Sequence, residues 1–149
     1  MNTRILMAAA LAGLCMAGQA GAAELITVGG GSLHFERDLG HNEFNYGLGY
    51  EKDWDDELSW SAGVYKNSIR RASFYGLVNW YPVTLGGGVR AGFTGGLMSG
   101  YHHSPIIGTL MPTLEWRGEH LALQSFIIPS IKPYIDGAVV LQLKYVFSR

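Results

Sequence analysis

The stretch Phe44-Asn45-Tyr46-Gly47-Leu48-Gly49-Tyr50-Glu51 alternates, with aromatic or aliphatic side chains at even positions and small or polar ones at odd positions. The same period of two returns at residues 58–64 and 139–147. Because successive side chains of a β-strand point to opposite faces, each stretch predicts a strand with one apolar face. Such strands either pack against a second sheet in a sandwich or turn their apolar face to lipid and close into a barrel.

Residues 1–22 have the organisation of an export signal. Arg4 supplies a positive start, an apolar run follows, and Ala20-Gly21-Ala22 forms a small-residue cleavage site. The apolar run is too short to span a bilayer as a retained helix. The single cysteine, Cys15, falls within this segment. We therefore expect the domain at residues 23–149 to contain neither a disulfide nor a thiol nucleophile.

The charge balance excludes one class of partner. The chain has a formal net charge of −1, and residues 23–149 contain 10 Lys and Arg against 12 Asp and Glu. Nucleic-acid binding is not expected, because that balance provides no basic footprint. The length suits one domain, and no later stretch is apolar enough for a transmembrane helix, so any membrane crossing must use strands. Export leaves the periplasm and the bacterial outer membrane as compartments.

The alternation predicts eight strands, near residues 25–36, 43–53, 58–67, 72–82, 87–99, 106–116, 119–128 and 136–147. This pattern predicts an all-β fold, an eight-stranded antiparallel up-and-down transmembrane β-barrel of the outer membrane. Tight turns alternate with more varied loops, which places the varied loops together on the rim facing away from the cell. Six aromatic residues near strand ends are typical of interfacial girdles, namely Trp54, Trp60, Trp80, Trp116, Tyr81 and Tyr145.

Polar residues far apart in sequence meet on the outward rim of such a barrel. His34 ends the first strand, Asn67 and Ser68 end the third, and Arg70 and Arg71 follow. A His near a Ser can act as general base for a hydroxyl nucleophile or for an attacking alcohol. Adjacent arginines can hold the phosphates of an anionic lipid. Each of these residues, taken alone, is also typical of a solvated loop.

Two further groups of polar residues have simpler interpretations. His102-His103 resembles part of a metal site, but no carboxylate or Cys at ligand spacing accompanies it, so no metal is expected. Glu115, Gln142 and Lys144 are expected to point into the barrel and pair there, which is a structural role.

Six short motifs carry a resemblance to a known family, namely Ser32-Leu33-His34-Phe35, Tyr65-Lys66-Asn67-Ser68, Gly92-Phe93-Thr94-Gly95-Gly96, Leu110-Met111-Pro112, Ile127-Ile128-Pro129 and Lys144-Tyr145-Val146-Phe147. In order and spacing they resemble the PagP lipid A palmitoyltransferases of the Gram-negative outer membrane. The resemblance implies a barrel that transfers a palmitoyl chain from a phospholipid to a hydroxyl of lipid A without a cofactor. The expected partners are these two lipids and the outer-membrane bilayer, and the barrel is expected to be a monomer.

The resemblance also assigns roles to individual residues. His34 matches the catalytic His of the family and Ser68 its Ser, whereas Asn67 stands where the family has Asp. Since Asn cannot accept a proton, either His34 is the base and Asn67 only orients groups, or the activity is altered. Pro112 and Pro129 match two prolines of the family's lateral gateway, where a missing N–H opens the ladder between strands.

Two alternative functions remain open. The sequence His102-x-Ser104 is similar to the His-x-Ser motif of PagL-type lipid A deacylases, which are also small barrels, although the surrounding residues do not follow that family. A non-catalytic outer-membrane barrel is the other alternative, and Asn67 is its best support. In the family a Gly lies at the floor of the acyl pocket, and Asn79 stands at that position here, so the length of the transferred chain does not follow from the resemblance.

Overall fold

The computed structural model describes residues 22–101, 104–132 and 135–149. It contains eight strands, β1 Glu24–His34, β2 Phe44–Asp53, β3 Leu58–Lys66, β4 Ala72–Gly86, β5 Val89–Ser99, β6 Ile106–Arg117, β7 Leu121–Ile128 and β8 Ala138–Ser148, and a 3-10 turn at Arg37–Leu39. Each strand pairs antiparallel with the next, and β8 returns to β1. The predicted eight-stranded up-and-down barrel is confirmed, and the sandwich is excluded.

Two sequence predictions concern residues outside the described part of the chain. Residues 1–21 of the expected export signal lie outside the described residues, as do His102 and His103. In the described part of the chain, no helix is long and apolar enough to cross a membrane.

The barrel has two distinct rims. The turns after β2, β4 and β6 form one, which we call the turn rim, together with the start of β1 and the end of β8. The connections after β1, β3, β5 and β7 form the other, the loop rim. Because consecutive strands are antiparallel, the loop rim collects residues that are more than a hundred positions apart in sequence.

β4 extends beyond the end at residue 82 that the sequence predicted. Pro82 has no N–H for the ladder, and the register shifts between Trp80 and Val83. The strand therefore passes the proline as an irregularity and pairs again with β5, with Val83 opposite Ala91 and Gly86 opposite Val89.

Apolar side chains cover the outward positions around the barrel. Leu110 is 69% exposed and Phe74 67%. Other exposed apolar residues of this belt include Leu48, Val78, Phe93, Leu97, Leu114, Leu123 and Leu141. A soluble monomer rarely exposes so large a continuous apolar surface, whereas a barrel embedded in lipid requires one. The outer face is therefore that of a membrane-spanning barrel.

Aromatic residues mark the belt near the turn rim, with one exception to the prediction. Trp80, Trp116 and Tyr145 are exposed on the outer surface, as a girdle requires. The assignment of Tyr81 to the girdle was wrong, because it is 1% exposed and its hydroxyl donates to Glu115 Oε2 at 3.1 Å. Tyr81 follows the outward-facing Trp80 and so points into the lumen.

Six charged residues fill the lumen next to the turn rim, and we call them the lumenal charge cluster: Glu51, Asp53, Arg90, Glu115, Arg117 and Lys144. Lys144 Nζ lies 2.5 Å from Glu51 Oε2 and 2.7 Å from Glu115 Oε2. Arg90 and Arg117 bind Glu115 Oε1 at 2.8 and 2.9 Å. The cluster balances three acidic against three basic groups, so these buried charges have partners. The pairing of Glu115 with Lys144 was predicted.

A layer of uncharged polar side chains lies beside this cluster, on the side toward the loop rim. Thr94 Oγ1 donates to Asn79 Oδ1 at 2.7 Å, Asn79 Nδ2 donates to Ser59 Oγ at 3.0 Å, and Gln124 Nε2 donates to the Tyr81 hydroxyl at 2.7 Å. All of these side chains are buried. We call this group the polar layer, and it closes the lumen across its middle.

Candidate active site at the loop rim

Between the polar layer and the loop rim the lumen holds a cavity. It contains about 780 Å³ of empty space, counting the part open to the outside. Its walls are largely apolar and include Leu77, Met98, Met111, Phe126 and Val140. An apolar cavity inside a membrane barrel suits a hydrocarbon chain better than it suits an ion or water.

His34 and Ser68 lie on the wall of this one cavity, at its loop-rim end. His34 is the last residue of β1, and Ser68 follows the end of β3. The connections that carry them are joined, since Asn42 N donates to the Ser68 carbonyl at 2.7 Å. The barrel topology predicted this common location, and the catalytic roles of the two residues stay predictions.

A second histidine and a carboxylate accompany His34. The His34 and His41 rings stack with centroids 4.4 Å apart and planes inclined by 30°. His41 Nε2 lies 3.1 Å from Asp136 Oδ2. Asp136 lies beside these histidines because Ala138, two residues later, pairs with His34 between β8 and β1. His34 Nδ1 is buried, and no described residue forms a hydrogen bond with it.

The sequence interpretation did not identify His41 and Asp136. They lie 95 residues apart in two connections; His41 was assigned to a loop, and Asp136 was assigned to the start of the eighth strand without a functional role. The signal that could have found them is the topology itself, because both connections flank β1 on the loop rim.

Asn67 has a structural role in the loop between β3 and β4. Its Nδ2 donates to Ser73 Oγ at 2.9 Å and to the Gly100 carbonyl at 3.0 Å, and its Oδ1 accepts from the backbone N–H of Ile69 and Arg71. The residue is fully buried. These four bonds use the whole capacity of the amide, which leaves no free group for His34 or Ser68. A carboxylate here could not donate to the Gly100 carbonyl, which explains why an amide suits this position.

The two predicted headgroup residues lie on the loop rim but outside the cavity. Arg70 is exposed, and its Nη1 donates to the Gly40 carbonyl at 3.1 Å. Arg71 is exposed, and its backbone closes the loop through Asn67.

Tyr101 contributes a neutral polar group to the cavity wall. Its hydroxyl and that of Tyr65 are 2.8 Å apart. Burial raises the pKa of Tyr101 above its usual value, so this phenol stays protonated at neutral pH. The cavity wall therefore gains a hydrogen-bonding group without gaining a charge.

The ladder between β6 and β7 stops short in the half of the barrel nearest the loop rim, and we call this stretch without ladder pairs the lateral opening. Pairing of the two strands stops at Thr113 and Phe126, although residues 106–112 continue to pair with β5. Ile127 and Ile128 pair with β8 alone in the described ladders. Pro112 is the first residue beyond the ladder, and it cannot donate a backbone hydrogen bond.

This opening lies within the apolar belt, because Leu110 on the same stretch is 69% exposed. Unpaired strand edges are costly in hydrocarbon, so an open edge at this depth calls for a functional explanation. Pro129, the other predicted gateway residue, directly follows β7 and is exposed. The two prolines therefore flank the opening, while its use by a lipid stays a prediction.

Ser104, the described part of the deacylase-like motif, lies apart from the cavity. Its hydroxyl donates to the Ile106 carbonyl at 2.6 Å within its own loop, and it is not among the residues that line the cavity. Among the described side chains, no group of three or more His, Cys, Asp or Glu residues is arranged to hold a metal ion.

The chain is similar in structure to a solved β-barrel domain. No protein-family model matches this chain, and no curated protein matches it. Among solved structures, the chain is similar to the N-terminal β-barrel domain of Pseudomonas aeruginosa OprF, with 14% sequence identity and a TM-score of 0.47. That alignment covers 85% of this chain and 98% of the OprF domain. The resemblance to the palmitoyltransferases stays a prediction from the sequence.

Proposed function

We propose that this chain is an outer-membrane acyltransferase that moves a palmitoyl or similar chain from a phospholipid to a hydroxyl of lipid A. One observation carries the proposal: His34 and Ser68 lie at the mouth of an apolar cavity, and the β6–β7 ladder stops beside that cavity. A lipid that leaves the bilayer sideways would reach this cavity without crossing water.

The energetics of chain binding favour an apolar cavity wall. A phospholipid tail is already in hydrocarbon, so its transfer into the barrel gains little from the hydrophobic effect. A polar wall would oppose transfer by about 0.8 kcal/mol for each methylene that left the bilayer. Side chains such as Leu77, Met111 and Phe126 keep the transfer near neutral. The polar layer ends the apolar path and thereby limits how far the chain can enter.

His34 acts as the general base in this proposal. The lipid A hydroxyl attacks the ester carbonyl of the phospholipid, and its proton passes to a free nitrogen of His34. The tetrahedral intermediate then collapses, the original ester C–O bond breaks, and His34 returns the proton to the departing lysophospholipid oxygen. The Asp136 carboxylate, paired with His41 3.1 Å away, provides negative charge near the transient imidazolium. No cofactor is required for these steps.

Ser68 has two alternative roles in the same reaction. Its hydroxyl either donates to the oxyanion of the intermediate or accepts the acyl group first as an ester. A Ser68-linked acyl chain in the intact protein mass distinguishes the second route from the first.

The test is the lipid A mass spectrum of cells that express the wild type or single variants. The wild type should add one acyl chain, and His34→Ala and Ser68→Ala should reduce that product at least about 100-fold, since general acid–base catalysis contributes that much. His120→Ala is the matched control, because His120 is exposed on the turn rim. Equal folding of all variants is checked by the mobility of heated and unheated samples on gels.

Each other result supports a different function. Loss of an acyl chain from lipid A, sensitive to Ser104→Ala, would identify a deacylase. An unchanged lipid A spectrum in the wild type would leave a non-catalytic barrel, for which the structural role of Asn67 is the main support. Acylation that survives both His34→Ala and Ser68→Ala would refute the assigned site.

A further inference from the structure

A groove runs over the outer wall of β2 and β3, and Gly47, Leu48, Val64 and Tyr65 line both this groove and the lumenal cavity. Its outward-facing residues are Tyr46 and Leu48 of β2 and Val64 and Lys66 of β3, and Arg70 lies at its loop-rim end. Leu48 and Val64 are directly paired and exposed. The groove is therefore an apolar channel within the lipid-facing belt that ends in two cationic side chains at the rim.

The lysine in this groove differs from the other lysines. Lys52, Lys132 and Lys144 each form an ion pair with a glutamate. Within the described residues Lys66 forms none, and its Nζ lies 5.5 Å from the centre of the Tyr46 ring. A cation on the lipid-facing surface without a protein anion is complementary to an anionic lipid headgroup.

The backbone of Arg70 provides a second, independent observation. Arg70 has φ = +61°, and it is the one non-glycine residue with positive φ in the described part of the chain. Side chains with a Cβ rarely adopt this conformation, which favours Gly or Asn. Arg70 therefore keeps its guanidinium at the rim in a backbone conformation that is unfavourable for it, which is consistent with a role for this side chain.

We infer that the groove formed by Tyr46, Leu48, Val64, Lys66 and Arg70 binds an acyl lipid with a net negatively charged phosphate headgroup. Lys66 and Arg70 hold the phosphate, and one acyl chain lies along Leu48 and Val64. This site is on the outside of the barrel and includes neither His34 nor Ser68, so it does not require the proposed acyl transfer.

The test is competitive lipid retention. The purified barrel in detergent is incubated with equal amounts of dioleoyl phosphatidylglycerol and dioleoyl phosphatidylcholine, and native mass spectrometry measures which lipid it retains. A basic residue near a membrane surface is worth about fivefold in affinity for an anionic lipid. The wild type should therefore prefer phosphatidylglycerol about 30-fold, and Lys66→Gln or Arg70→Gln should each lower that preference about fivefold.

Three controls make the result specific. Lys132→Gln removes an exposed cation elsewhere on the loop rim and should leave the preference unchanged. Arg70→Gly should lower the preference about fivefold even though glycine suits the backbone conformation, which separates lipid binding from a purely structural role. His34→Ala should retain the lipid as the wild type does, so failure of the acyl-transfer proposal would not affect this one.

Several outcomes would overturn the inference. Equal retention of the two lipids by the wild type would indicate ordinary contact with surrounding lipid. The same conclusion follows if Lys66→Gln and Arg70→Gln both keep the wild-type preference. Displacement of the lipid by excess inorganic phosphate would identify a site for the free anion instead.

Discussion

Replacing Lys144 by Met should destabilise the barrel strongly. Lys144 is fully buried, and its Nζ lies 2.5 Å from Glu51 Oε2 and 2.7 Å from Glu115 Oε2. Methionine has a similar length but no charge, so the variant leaves two buried carboxylates without their shared cation. Removing one partner of a buried ion pair typically costs about 3–5 kcal/mol.

The remaining partners of the two carboxylates determine how much of the free energy of unfolding should be lost within this range. Arg90 and Arg117 still bind Glu115 at 2.8 and 2.9 Å. Glu51 keeps the Ser59 hydroxyl at 3.0 Å and Arg117 at 3.4 Å. Both carboxylates therefore stay partly compensated, and we expect a loss of about 3 kcal/mol. The measurement is the free energy of unfolding in urea, with the barrel in lipid vesicles.

Two further variants decide whether charge burial is the cause. Lys52→Met removes the partly exposed pair of Lys52 with Glu24, 3.0 Å apart, and should cost at most about 1 kcal/mol. Adding Glu51→Gln to Lys144→Met removes one of the stranded charges and should recover part of the stability. The reasoning fails if Lys144→Met costs no more than Lys52→Met, or if the added Glu51→Gln lowers stability further.

Three other substitutions have definite expected outcomes. Asn67→Asp should lower the free energy of unfolding in urea by about 1–3 kcal/mol, because a carboxylate cannot donate the two hydrogen bonds of the amide. Gly49→Ala places a methyl 2.0 Å from the Tyr75 hydroxyl, so the ring must move in the lumen and lipid A mass spectra should show a shorter transferred chain. Asp136→Asn should slow acyl transfer at least about tenfold by removing the charged partner of His41, and an unchanged rate would contradict this role.

The barrel could be predicted from the sequence because nearly every strand residue takes part in the alternation of apolar with polar or small side chains. A period of two is visible without knowledge of the partners, and the number of strands then determines which connections share a rim. His34 and Ser68 could be placed together for the same reason, since each lies at the end of a strand whose direction follows from its number. At these two positions the alternation of side chains and the order of the strands lead to the same placement on the loop rim.

The interpretation was wrong where composition was used in place of that pattern. Tyr81 was assigned to the girdle because it is aromatic, yet its neighbour Trp80 faces outward, so alternation sends Tyr81 into the lumen. The pair of His41 and Asp136 could not be predicted from period or propensity, because both residues lie in connections without regular structure. Only the closure of β8 on β1 brings those connections together.

The inward-facing residues change in polarity along each strand, and this change favours a binding pocket over a pore. On β6 the inward positions run from Glu115 through Thr113 to Met111, and on β8 they run from Lys144 through Gln142 to Val140. A channel requires a polar lumen from end to end, whereas here balanced ion pairs close one half and apolar side chains line the other. The β6–β7 ladder stops beside the apolar half. Under the proposed function, this arrangement would admit a ligand that approaches within the membrane, as an enzyme acting on lipid tails requires.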